Sequence, residues 1–400
     1  MRKWLAIFLV LALFTGCSSA LPPQVKLPGE PVVQADGIES YNQFGFNLYQ
    51  KLLTPGENIL LSPVSVALAL SMAYNGAAGE TKAEMADVLL VSGLDPEQLN
   101  QSNKLLLQEL QASDVTVEIA NSLWLRQGVP FLPHFIQLTE TYYDAQVSEL
   151  DFARADAAAT INQWVKDNTN GLIEEIIQGP IDPLTIAFLL NAIHFQGDWS
   201  APFAASGTRD DVFNTPAGPV TVPFMHKTAT FEYLEEEGLQ AIRLPYGKGN
   251  MAMYIFLPED LEEFHKSLTQ ERWAKWRSAF TSDRGELALP KFKFEYEERL
   301  NDALMDLGME RAFDAFAADF SDMVERGDQA YISEVKHKAF IEVDEKGTEA
   351  AAVTSVEITL TSMPAAPSFS MKIDRPFFFM IHDQQTDSIL FMGSVYNPSE

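Results

Sequence analysis

Six histidines, one cysteine, a closely spaced pair of glycines and 56 acidic residues are what this 400-residue chain offers for building chemistry. His134, His194, His226, His265, His337 and His382 are scattered singly, as hydrogen-bonded core or surface histidines are, and not as metal ligands or catalytic bases are. There is no His-Glu-x-x-His and no pair of cysteines, so zinc lacks its usual ligand spacing. No Gly-x-Ser-x-Gly elbow occurs, which removes the commonest serine-hydrolase signature. The one cysteine, Cys17, closes an N-terminal apolar run, so neither a cysteine nucleophile nor an intramolecular disulfide is available to the fold. Gly247-Lys248-Gly249 continues as Asn-Met-Ala and completes neither a dinucleotide fingerprint nor a phosphate loop. Glu235-Glu236-Glu237 reads as a solvated turn. These residues predict a protein that is not an enzyme and uses no cofactor and no metal.

A different pattern runs from Glu345 to Pro364, EKGTEAAAVTSVEITLTSMP. Thr348, Ala350, Ala352, Thr354, Val356, Ile358 and Leu360 are uncharged and grow more apolar along the chain, while the intervening Glu349 and Glu357 hold all the charge. Such period-2 alternation marks a strand with one buried face. Yet the stretch starts beside a glycine, passes three alanines and ends in Ser-Met-Pro-Ala-Ala-Pro, which are features of a loop.

The elements that must present this stretch are legible on either side of it. Helical spacing covers 38–53 with Tyr41, Phe44, Leu48 and Leu52 on one face, and an apolar helix runs from Pro63 to Ala77. Helices follow at about 80–91, 95–112 with Asp95 as N-cap, 133–143 and 155–170. Strands are expected at 115–125 and, as a nearly continuous apolar run, at 185–195. Residues 220–257 alternate with turn signals such as Tyr246-Gly247-Lys248-Gly249-Asn250. Helices return at about 259–280 and 299–307, with strands at 286–297, 330–344, 371–382 and 388–396. A helix-rich first half and a strand-rich second half without regular βα alternation predict the α+β class.

The composition, 46% hydrophobic and 21% charged, is that of a folded globular protein. With 28 basic residues against 56 acidic ones the net charge is −28, so nucleic acid and anionic membrane surfaces are excluded as partners. Arg2 and Lys3 followed by the apolar run Trp4–Phe14 form a targeting segment, too short to span a bilayer. It ends in Phe14-Thr15-Gly16-Cys17. The domain organisation expected is a signal peptide over 1–16, a Pro-rich extended tether over 17–35, and one domain over 36–400.

The Glu345–Ala352 octet, Glu-Lys-Gly-Thr-Glu-Ala-Ala-Ala, resembles the hinge of the reactive loop of the serpins. Asn58-Ile59-Leu60-Leu61-Ser62-Pro63-Val64-Ser65 resembles the start of that family's second helix, and Leu190–Trp199 with Pro202-Phe203 its central strand and breach. Asp374-Arg375-Pro376-Phe377-Phe378-Phe379 and Leu390-Phe391-Met392-Gly393 resemble its C-terminal strands. The Phe14–Cys17 segment is similar to the lipobox of bacterial lipoproteins, in which the cysteine is acylated.

The resemblance implies a fold of three β-sheets with eight or nine helices and an exposed reactive-centre loop, here about 347–367. It implies an irreversible inhibitor of serine proteases, with some members also acting on cysteine proteases. The target cleaves the loop, forms its acyl-enzyme and is carried across the molecule as the loop inserts into the main sheet. On that reading Gly347 supplies the bend, and Glu345, Thr348, Glu349, Ala350, Ala351 and Ala352 form the hinge. Val356, Ile358 and Leu360 can each add about 1.5–3 kcal/mol when buried. Fourteen inserted residues span roughly 46 Å, comparable to a protease's diameter.

The family's spacing places the scissile bond between Thr361 and Ser362, with cleavage after Leu360 as the alternative. Thr361 suits elastase-like enzymes and an upstream Leu360 suits papain-like ones, whereas cleavage after Leu360 suits chymotrypsin- or subtilisin-like enzymes. The resemblance further assigns Ser62, Ser65, Asn191 and His337 to the polar cluster beneath the opening strands. It assigns Trp199 to the breach, and Lys291 to a salt bridge with Glu345. The expected product is an exported monomer, lipid-anchored through Cys17 on the bacterial envelope, with target proteases as covalent partners and the lipid as its sole membrane contact. A non-inhibitory binding lipoprotein or plain protease substrate on the same scaffold is the alternative.

Overall fold

The computed structural model describes residues 35–182, 185–325, 330–348 and 366–400. The signal, Cys17 and all but the last residue of the tether lie outside the described residues, as do Glu349, Ala350, Ala351, Ala352, Leu360, Thr361 and Ser362.

Nine α-helices occur among the described residues: α1 Ala35–Leu52, α2 Pro63–Gly76, α3 Gly79–Val88, α4 Pro96–Gln111, α5 Pro133–Tyr143, α6 Ala157–Asp167, α7 Leu261–Lys266, α8 Gln270–Ala279 and α9 Asn301–Asp306. Their starts follow local chemistry. Asp95 accepts the Gln98 amide at 3.0 Å, and Pro96 occupies the first turn of α4, where its missing N–H costs nothing. The single helix expected over 259–280 is two, because Thr269 leaves the helical conformation and its hydroxyl accepts the Arg272 amide at 3.1 Å, opening α8.

The strands are β1 Ile59–Leu61, β2 Thr116–Arg126, β3 Gln146–Leu150, β4 Ala187–Asp198, β5 Arg209–Thr215, β6 Gly218–Glu236, β7 Leu239–Pro245, β8 Met251–Pro258, β9 Thr281–Pro290, β10 Phe292–Arg299, β11 Lys336–Val343, β12 Gly347–Thr348, β13 Phe369–Lys372, β14 Phe377–Asp383 and β15 Ser388–Val395. The strand expected over 286–297 is divided between two sheets, with Lys291 between β9 and β10 giving its amide to Pro223 at 2.9 Å. The strand expected over 371–382 is also two, β13 and β14, separated by Ile373–Pro376. Pro376 has no amide to offer a ladder.

Two sheets result. One runs β10-β11-β12-β4-β2-β3, and the other β1-β15-β14-β8-β7-β6-β9-β13 with β5 also on β6. The nineteen-residue β6 serves both halves of the larger sheet, pairing β5 and β9 along its length and β7 only from Glu232 onward. In the smaller sheet β4 is antiparallel to β2 from Thr116↔Gln196 to Leu125↔Ala187. The apolar α2, buried on nearly every side, packs among β4, β15 and α1. On the opposite side α6 lays Ile161 and Val165 against Trp124 of β2 and Phe188 of β4.

Candidate functional site

The site is the root of the 345–364 segment, where the chain leaves β11 and turns back into the smaller sheet. Val343 ends β11, and Asp344 makes the reversal. Its carboxylate accepts the amides of Lys346 at 2.8 Å and Gly347 at 3.2 Å, while its own amide reaches the Gly347 carbonyl at 3.0 Å. Aspartate is suited to this because its short side chain can hydrogen-bond backbone two residues on. The returning strand β12 lies between its neighbours, with Thr348 opposite Val343 on one side and Gly347 and Thr348 opposite Asp198 and Gly197 of β4 on the other.

Gly347 therefore does not act as a free bend: it is already strand. Its φ is outside the left-handed region, and the need for glycine comes from close approach. A Cβ at 347 would stand 2.0 Å from the Gly197 carbonyl oxygen and 2.8 Å from the Asp198 Cα. Thr348 is 2% exposed, so the first inward residue of the alternating pattern is already buried.

Around this root the sheet is tied by hydrogen bonds from 199–208. Trp199 donates its amide to the Lys346 carbonyl at 2.7 Å and its indole N–H to the Asp344 carbonyl at 2.9 Å, and the Phe203 amide reaches the Glu345 carbonyl at 2.8 Å. Glu345 receives Lys291 Nζ at 2.8 Å and the Thr208 hydroxyl at 2.7 Å. Burial pushes the Glu345 carboxyl up, but those two donors outweigh it and hold it below the usual glutamate range. Lys291 stays in part exposed.

Of the polar cluster expected from Ser62, Ser65, Asn191 and His337, hydrogen bonds join Ser62, Ser65 and His337 at the start of α2. Ser62 caps α2 by accepting the Ser65 amide at 3.4 Å, and its own amide donates to His337 Nε2 at 3.3 Å. His337 is on β11, so this contact joins the strand to the helix behind it. Burial pushes the imidazole down to about 4, against a smaller opposing effect of its hydrogen bond to the Leu60 backbone. It is a neutral ring at physiological pH. Asn191 stands on β4 opposite Asn121 of β2.

Two contributors escape a reading of the sequence. Thr208 has no motif around it. Tyr246 belongs to a stretch recognisable only as a turn, and Gly247 and Gly249 adopt positive φ to make the β7–β8 reversal, not to cradle phosphate. The Tyr246 hydroxyl is 2.6 Å from Thr348 Oγ1. Elsewhere, His382 pairs with Asp387 at 2.8 Å in full burial, which pushes it down to about 3 with Arg277 and Arg243 adding to the effect. Among the described residues no three His, Cys, Asp or Glu side chains are grouped to hold a metal.

A family model described as serpin (serine protease inhibitor) matches residues 39–398. The chain belongs to the serpin family. An uncharacterized serpin-like protein of Thermococcus kodakarensis is 38% identical over 370 residues, covering 91% of this chain and 86% of that protein. The native-state crystal structure of the thermophilic serpin tengpin superposes with a TM-score of 0.84 at 34% identity, covering 91% of this chain and 95% of tengpin. Human thyroxine-binding globulin in complex with thyroxine matches with a TM-score of 0.82 at 31% identity, covering 91% and 99% of the two chains. The serpin fold accounts for the α+β architecture and for a root strand set between β11 and β4. Serpins are in general protease inhibitors rather than enzymes.

Proposed function

We propose that this serpin is an irreversible suicide-substrate inhibitor of serine endopeptidases, with papain-like cysteine proteases as a second target class. Cleavage at Thr361–Ser362, or after Leu360, leaves the protease as an acyl-enzyme while the upstream segment inserts between β11 and β4. The observation that carries this reading is β12: Gly347 and Thr348 already pair with β4, and Thr348 already pairs with β11. Insertion then extends an existing strand into residues that are small and uncharged at every inward position through Ala352. Extending a strand adds ladder hydrogen bonds without a new nucleation step.

The same reading places the protein outside the cytoplasm, held to a bacterial membrane by acylated Cys17 and the Pro-rich tether, and acting as a monomer on elastase-like, subtilisin-like or papain-like enzymes. In it Trp199, Lys291 and Glu345 hold the breach, and Ser62, Ser65, Asn191 and His337 form the cluster the strands slide over.

The test is incubation with elastase, subtilisin and papain, followed by denaturing electrophoresis. A complex resistant to SDS supports trapping; clean loop cleavage with protease activity retained defeats it. Thr348→Arg would put a guanidinium at a position now 2% exposed, and an unpaired buried charge is costly. That variant is expected to be cleaved as a substrate, and undiminished trapping by it would also defeat the mechanism. The second reading, a non-inhibitory binding protein, draws on the thyroxine complex of the structurally similar globulin, and clean cleavage without trapping is its expected result.

A further inference from the structure

Tyr246 is held as a fixture. Its ring is fully buried, stacked on Trp199 with centroids 4.5 Å apart at 12°, and met edge-on by Phe195 at 5.0 Å. Its backbone is fixed on both sides: the Tyr246 amide donates to the Met251 carbonyl at 2.8 Å, and the Gly247 amide to the Asp198 carbonyl at 2.9 Å. The ring has room to shift by no more than tenths of an ångström, too little to follow a departing partner. Its hydroxyl is 2.6 Å from Thr348 Oγ1, and either oxygen can donate. Burial raises the phenol well above the ordinary tyrosine value, so it is a neutral hydroxyl at physiological pH.

We infer that the Tyr246 hydroxyl is a positioning group that latches Thr348 into the sheet before any protease arrives. The inference rests on the inhibitory reading for its purpose but not for its geometry. Thr348 belongs to the segment that moves, while Tyr246 belongs to the part that does not. When the root strand withdraws, the tyrosine hydroxyl, buried while the strand is seated, loses this partner and with it the net worth of a buried hydrogen bond. That loss biases the root inward. The first rung of the inserted strand is thereby in place when the loop is cut, so insertion competes better with hydrolysis of the acyl-enzyme.

The latch is tested on the uncleaved full chain by hydrogen exchange of the peptide spanning residues 340–348, read by mass spectrometry. Tyr246→Phe keeps the ring and its stacking and removes only the oxygen. It is expected to speed exchange there about five- to thirty-fold, the effect of a buried hydrogen bond on an opening equilibrium. Thr348→Val should open the root further, because the tyrosine hydroxyl is then unpartnered even when the strand is seated. Replacing both, Tyr246→Phe with Thr348→Val, should return exchange toward the parent value, since two apolar groups of matching shape leave nothing unsatisfied. A merely structural role for the ring would give no such rescue.

The molar ratio of inhibitor consumed per protease trapped should rise and recover in the same order. Exchange unchanged by Tyr246→Phe, or a double variant as open as the two singles combined, overturns the latch even if the parent traps proteases. A parent that traps nothing overturns the inhibitory reading, while the exchange series still decides the latch.

Discussion

Replacing Gly347 with alanine isolates what the root strand contributes. The added Cβ would lie 2.0 Å from the Gly197 carbonyl oxygen, whereas real Cβ atoms essentially never come within 3.0 Å of a neighbour. The obstructing atoms are backbone of β4, which β2 holds as far as Gln196 and the Gly247 amide holds at the Asp198 carbonyl, 2.9 Å away. No side-chain rotation relieves the contact, so the cheapest response is withdrawal of β12. Withdrawal gives up the Asp344–Gly347 and Trp199–Lys346 backbone bonds, the Tyr246–Thr348 bond and the ladder to Gly197. About four hydrogen bonds at a net 0.5–1.5 kcal/mol each come to about 4 kcal/mol, roughly a thousand-fold in the opening equilibrium.

Hydrogen exchange of residues 340–348 in the uncleaved protein reads that change directly, and trapping of elastase should fall with it. Gly197→Ala is the internal comparison. Its Cβ would meet Phe195 Cζ at 2.9 Å and Tyr246 Cδ1 at 3.0 Å, which are side-chain atoms and can shift by tenths of an ångström. The expected opening is much smaller, within about ten-fold. If Gly347→Ala exchanges within about three-fold of the parent, or Gly197→Ala proves the more disruptive, close packing against β4 is not what requires glycine at 347.

Three further outcomes follow from the same contacts. His337 and His265 are held down to about 4 and His382 to about 3, chiefly by burial. Because the unfolded chain takes up these protons from about pH 6.5 downward and the folded one does not, stability is complete above pH 6.5 and is lost toward pH 4, by on the order of 3 kcal/mol per histidine. His337→Gln should flatten the pH dependence of the urea midpoint, and an unchanged slope would contradict the assignment. Loop cleavage should raise the melting temperature by at least about 10 °C if the segment inserts; calorimetry before and after papain treatment decides it, and no shift means no insertion. A double-mutant cycle on Lys291 and Glu345, measured by denaturant unfolding, should give a coupling of about 1 kcal/mol that weakens in 1 M salt, as suits a pair only partly buried. Zero coupling would make the 2.8 Å contact incidental.

The sequence by itself determined the class of the fold and singled out the segment after Asp344 as the candidate site. Periodicity found α1, α2, α4, β2, β4 and β15 within a few residues, because each has a clean apolar pattern or a capping signal. The loop root was legible for a similar reason: the alternation that begins at Thr348 has the period of a strand, and Thr348 itself is paired and buried. Elements with weak patterns escaped. β3 is an edge strand of mostly half-exposed residues, the break at Lys291 is set by a partner far along the chain, Pro223, and the one at Thr269 by a local cap on Arg272 that the helical spacing around it hides. What only the tertiary structure decided is the state of the root. Gly347 reads in sequence as a point of freedom, but the Gly197 carbonyl makes it a point of close packing. Tyr246 reads as the start of a turn, but its hydroxyl reaches 102 residues along the chain to Thr348. Composition and period report what a residue tolerates locally; which atom stands against it depends on which strands the whole chain brings side by side.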